Sequence, residues 1–152
     1  MKSNHNRDGV SVDEFIRPLV VFMNECGMET VASCHGHLSQ AKDPYVLFKG
    51  NISSASAFST ALYNELLQPT VRLNFYWVIE GHFNPLGELL FRLSSPELQK
   101  KAFSIFHITT TPYMRARINH DLFVMQEIVQ QALLADSHKH NNCRNSSEND
   151  HD

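Results

Sequence analysis

The sequence predicts one α+β domain with helices packed on a mostly antiparallel sheet. Three observations carry this. Apolar runs of helical period alternate with short strand-like runs. A period-two stretch at 71–80 meets a turn and a returning strand. The order along the chain is α-β-β-α-β-β-α-α, and 152 residues suffice for one core.

Ser11 and Glu14 match a capping box, so a helix should follow. Phe15, Leu19, Phe22, Met23 and Cys26 would line one side and Gly27 would end it. Pro18 within that window predicts an irregular or kinked first turn. Residues 28–33 read as a strand entering a Cys-His-Gly-His loop, and residues 44–49 as a second strand. Ser53 or Ser54 should cap a helix carrying Ala57, Phe58, Ala61, Leu62, Leu66 and Leu67.

Val71, Leu73, Phe75, Trp77 and Ile79 alternate with Arg72, Asn74, Tyr76, Val78 and Glu80, the pattern of a half-buried strand. Asn84-Pro85-Leu86-Gly87 is a turn, residues 87–93 return, and 71–93 should form an antiparallel hairpin. Ser95 should cap the next helix with Pro96 at its first position. Phe103, Ile105 and Phe106 read as core. Met114, Leu122, Met125, Ile128, Val129, Ala132 and Leu133 form the apolar stripe of a last helix over 113–136, suited to core or a dimer face. The expected domain spans 11–136, between a flexible 1–10 and a disordered polar tail at 137–152.

Composition narrows the function classes. The net charge of −3 argues against a generic nucleic-acid coat but leaves room for a local basic pocket. No apolar run reaches the roughly 20 residues of a membrane span, and no signal peptide is read at the start. Cys26, Cys34 and Cys143 are odd in number and widely spaced, so reduced thiols and a cytoplasmic location are expected.

The densest chemistry lies in Thr30-Val31-Ala32-Ser33-Cys34-His35-Gly36-His37. Cys34, His35 and His37 are zinc-type ligands, although a complete site needs more, such as His82 or His107. Cys34 could act as a nucleophile, with His37 the better-placed base on an extended chain. The turn at Gly36 could cradle an anion with backbone N–H groups, aided by Ser33 and His37. The plainest reading makes Cys34 a small buried hydrophobe and Gly36 a turn residue.

The stretch from Phe15 to Phe48 resembles the wybutosine-synthesis methyltransferase family, which acts on a modified guanosine in transfer RNA. Thr30, Ser33, Cys34 and Gly36 stand where that family has Thr, Ser, Cys and Gly. Ala32 replaces a motif serine, His35 a serine and His37 an arginine; the last change removes a fixed cation. The resemblance covers about a quarter of the chain. It implies a similar α+β fold, a ligand site at this loop, and S-adenosylmethionine as a methyl donor to RNA. Cys34 or His37 would then position acceptor or cofactor.

Elsewhere, Tyr76 faces away from Phe75 and Trp77, beside Arg72 and Asn74, and that face suits a base or sugar. Arg115 and Arg117 could offer charge to an anion, or be surface groups. Glu80, His82 and Asn84 near the hairpin tip could line a site or simply be solvated. The expected function is a small ligand-binding or nucleotide- or RNA-modifying protein. Its catalytic candidates are Cys34 and His37; its binding candidates are Thr30, Ser33, His35, Gly36, Arg72 and Tyr76. The ligand expected is small and anionic or nucleotide-like. The alternative is a non-enzymatic accessory factor, of phage or plasmid type, that sequesters a nucleotide or blocks a host protein.

Overall fold

The computed structural model describes residues 12–36, 43–101 and 111–146, with side chains over 12–36, 43–99 and 112–131. Its order is α1 (Arg17–Glu25), β1 (Glu29–Cys34), β2 (Tyr45–Lys49), α2 (Ile52–Leu66), β3 (Val78–Phe83), β4 (Leu89–Ser94), α3 (Pro96–Lys101) and α4 (Thr111–Ser146). The fold is α+β in the expected order. The four strands form one sheet, β1-β2-β4-β3, antiparallel at every pairing.

One sheet face builds the core with α1, α2 and α4. Val46 lies opposite Leu93, and Phe48 opposite Phe91, whose ring stacks on it at 5.6 Å between centroids. Phe58 and Leu62 of α2, Met23 of α1, and Ile118, Met125 and Val129 of α4 close over them. Burying each such side chain contributes about 1.5–3 kcal/mol.

Several local expectations are corrected. Residues 14–16 form an irregular turn, as Pro18 suggested, and regular helix α1 begins only at Arg17; Pro18 then falls in its first turn, where its missing N–H costs nothing and no kink is needed. Ser11 lies outside the described residues. Phe15 is exposed in the turn before the helix, and the fully buried Ile16 takes the core position. Gly27 does end the helix. Its N–H donates to the Asn24 carbonyl, that of Met28 to the Met23 carbonyl, and Gly27 holds φ +79°. Asn24 then ties helix to strand, accepting the Thr30 N–H at 2.8 Å.

Asn51, not Ser53 or Ser54, caps α2: its Oδ1 accepts the Ser54 N–H at 2.7 Å. Leu67 is exposed. At α3 the Ser95 carbonyl accepts from Leu98 and Gln99, while the Ser95 hydroxyl is buried without a partner among the described residues. Phe103, Ile105, Phe106 and His107 lie outside the described residues. Helix α4 continues through Ser146 rather than ending at 136. The added stretch holds neither Gly nor Pro, the residues that stop a helix most strongly.

The largest correction concerns 71–77, which is not strand. Leu73, Phe75 and Trp77 are buried as the alternation required, but among the described residues no strand pairs with them. Asp121 of α4 takes that place. Its Oδ1 accepts the backbone and side-chain N–H groups of Asn74 at 2.8 Å each; its Oδ2 accepts the Phe75 N–H at 3.0 Å. The hairpin is therefore β3–β4 alone. Asn84 Oδ1 fixes its turn by accepting the N–H groups of Leu86 and Glu88, and Gly87 holds φ +75°.

Candidate functional site

The end of β1 and the turn after it bring together residues from three parts of the chain. Asp13, before α1, places Oδ2 2.6 Å from His35 Nδ1. The same oxygen accepts the His35 backbone N–H at 3.4 Å. In the neutral imidazole this partner assigns the proton to Nδ1 and leaves the lone pair on Nε2. The ring of Phe15 stands 6.1 Å from that of His35.

From the other side, Arg115 in the first turns of α4 donates through Nη1 to the His35 carbonyl at 2.6 Å and through Nη2 to the Gly36 carbonyl. One rigid fork thus holds two successive peptide units. Burial pushes the guanidinium below its ordinary pKa, against the opposing pull of Cys34 and Asp13. Gly36 adopts φ +86°, where a Cβ would be strained, and donates its N–H to Cys34 Sγ at 3.3 Å.

Cys34 is buried and pairs across the sheet with Tyr45. Burial raises the Tyr45 pKa, and Cys34 and Asp43 add to the rise while Arg92 opposes it. The Arg92 guanidinium lies 5.1 Å from the Tyr45 ring centroid and bonds Asp43 at 3.0 Å. The alternation of β1 puts Ser33 on the opposite face, across from Val46. The hydroxyls of Ser33 and Thr30 are buried without hydrogen-bond partners among the described residues.

The structure therefore joins Cys34, His35 and Gly36 with Asp13 and Arg115. His37 lies outside the described residues. The backbone cradle for an anion is not what this turn offers at 35 and 36: both N–H groups are directed to Asp13 and Cys34, and the Asp13 carboxylate lies beside them. Among the described residues no three His, Cys, Asp or Glu side chains gather as metal ligands.

Arg72 and Tyr76 stand apart from the loop. Arg72 donates to both carboxylate oxygens of Glu65, at 2.9 and 2.7 Å, and reaches Glu127 at 3.3 Å. Glu127 is about 18 Å along α4 from Arg115 at 1.5 Å per residue. Tyr76 instead lines a cavity of about 270 Å³ with Ser59, Thr60, Tyr63, Trp77 and Val78. Arg117 bonds the Asn74 side chain and carbonyl and lies over Phe75. Neither arginine expected to meet an anion is a plain surface group.

Sequence reasoning missed Asp13, which is 22 residues from His35 and carries no motif. It weighed Arg115 without finding its target. No local spacing in the sequence indicated which carbonyls Arg115 would meet. Compared with protein-family models, with curated proteins and with solved structures, the chain finds no match. Among the described residues no helix is long and apolar enough to cross a membrane.

Proposed function

We propose that the chain is a small ligand-binding protein whose site is the turn after β1, and that His35 is its recognition group. The observation that carries this reading is the 2.6 Å contact between Asp13 Oδ2 and His35 Nδ1. A carboxylate on one ring nitrogen fixes the tautomer and the orientation of the imidazole. Arg115 holds the His35 carbonyl beneath it, so Asp13 fixes the ring and Arg115 the peptide that carries it. The ligand is nucleotide-like, presenting an N–H or hydroxyl to the imidazole rather than a phosphate to the backbone.

An enzyme built this way would use His35 as a general base toward that same N–H or hydroxyl. The resemblance supplies the reaction, methylation of an RNA nucleotide, for which S-adenosylmethionine is the methyl donor. Asp13 is committed to His35, and the described residues of the turn offer no second carboxylate for the cofactor's ribose hydroxyls. No methyl-transfer step follows from this geometry.

The test is thermal unfolding of the wild type and of His35→Ala with guanosine, guanosine monophosphate, S-adenosylmethionine and a short RNA stem-loop. A rise in Tm with one probe, lost in the variant, supports the reading. No rise with any probe, or one that persists in His35→Ala, overturns it.

A further inference from the structure

We infer that β3 is a self-complementary edge through which two copies of this chain pair into one continuous sheet. Among the described residues the strand is outermost in the order β1-β2-β4-β3, and its residues 80–83 are all exposed. The other edge, β1, is interrupted by a bulge between Thr30 and Ala32, a device that discourages further pairing. β3 is regular and has no Lys, Pro or bulge to blunt it.

The direction of its hydrogen bonds follows from the hairpin. Asn84 donates its N–H to the Glu88 carbonyl, so Asn84, His82 and Glu80 face β4. By alternation the N–H and C=O groups of Ile79, Gly81 and Phe83 point outward. An antiparallel second copy related by a two-fold axis at Gly81 would pair Gly81 with its own equivalent and Ile79 with Phe83. All three outward residues then become hydrogen-bonded pairs.

The side chains fit the same register. Glu80 falls opposite the second copy's His82, and His82 opposite its Glu80. These are non-hydrogen-bonded positions, where cross-strand side chains come closest. The imidazole can donate to the carboxylate whether neutral or protonated. On the other face Phe83, 72% exposed, would cover the half-buried Ile79 of the partner and extend the core. A shift of one residue would set Glu80 against Gly81 and lose both charge pairs. The partner chemistry is thus that of the strand itself: an acid and a histidine two apart, around a glycine that admits close backbone approach.

The test is sedimentation equilibrium of the full chain over a wide concentration range, with amide hydrogen exchange. The wild type is expected to show a reversible dimer in which the amides of Ile79, Gly81 and Phe83 are protected. His82→Glu sets like charges opposite each other and should weaken dimerisation about tenfold, which is roughly 1.4 kcal/mol over the two symmetric contacts. The swap Glu80→His with His82→Glu restores complementarity and should restore the dimer. Phe83→Lys, at an exposed position, should leave a folded monomer. A monomeric wild type, a dimer indifferent to His82→Glu, or a swap that fails to rescue while remaining folded overturns the inference.

Discussion

The indole Nε1 of Trp77 donates to Asp121 Oδ2 at 2.8 Å, and the acid has no solvent-exposed surface. With Asn74 and Phe75, the carboxylate accepts four N–H donors in all. This one side chain does for 72–77 what a neighbouring strand would otherwise do. It accepts the backbone N–H groups of Asn74 and Phe75 and locks that segment along α4.

Asp121→Asn should therefore destabilise the protein strongly. The amide turns an N–H toward donors and leaves at least one of them buried and unpaired. A loss of about 2–4 kcal/mol is expected, the range for breaking a buried charged hydrogen-bond network. Urea unfolding followed by fluorescence measures it, because Trp77 is the chain's single tryptophan. A loss below about 0.5 kcal/mol, typical of surface substitutions, would contradict this account.

That contact also shows where the sequence was legible. Period-two alternation correctly placed Leu73, Phe75 and Trp77 inside and Tyr76 outside. It could not say that an acid about 45 residues away, rather than a strand, receives the backbone, because alternation reports burial and not partners. Gly27 was readable as a helix end because positive φ is a local property. The loop of Cys34, His35 and Gly36 stood out by its chemistry. Its partners Asp13 and Arg115 did not, since each comes from a separate element and no local pattern links them. Phe15 was misplaced because the capping box at Ser11 set the helix start five residues before the Arg17 at which it begins.

Arg72 is a structural tie rather than a ligand contact, and its effect should depend on pH. Hydrogen bonds from Arg72 hold the Glu65 carboxyl below its ordinary value of 4.5, against the opposing effect of burial. A lowered folded-state pKa gives stability that is full above the unfolded value and is lost as pH falls through the folded one. Arg72→Gln should thus cost about 1–2 kcal/mol at neutral pH, the lower part of the charged hydrogen-bond range because Arg72 is partly solvated. The gap to wild type should close as pH falls below 4.5. Paired urea titrations across that range check it; a gap that stays constant would show that Arg72 acts through packing instead.

Gly36 should tolerate no side chain. At φ +86° an alanine adopts a conformation costing about 1–2 kcal/mol. Gly36→Ala should lower stability by that amount and weaken ligand capture further, by moving the carbonyl held by Arg115. Gly87→Ala is the control. It shares the positive φ in a hairpin turn distant in sequence, so it should cost similar stability and leave binding unchanged. Equal binding losses in the two variants would remove the turn after β1 from consideration.

Arg115 is the residue on which the geometry of the turn depends most. Its guanidinium spans two successive carbonyls, and a lysine has one ammonium to offer in place of that fork. Arg115→Lys should leave the charge beside Cys34 and Asp13 but release one carbonyl, loosening the His35 backbone. The expected cost is about 1–3 kcal/mol in stability, the range for a hydrogen bond to a charged group. Faster amide exchange at His35 and Gly36 should accompany it. Arg115→Met removes the charge as well and should cost more, because both carbonyls lose their donor in a half-buried setting. Hydrogen exchange of the three proteins separates the effects. If lysine protects the turn as well as arginine does, positive charge alone suffices and the two-carbonyl grip is incidental. If lysine behaves like methionine, the bidentate geometry holds the turn, and with it the histidine that Asp13 orients.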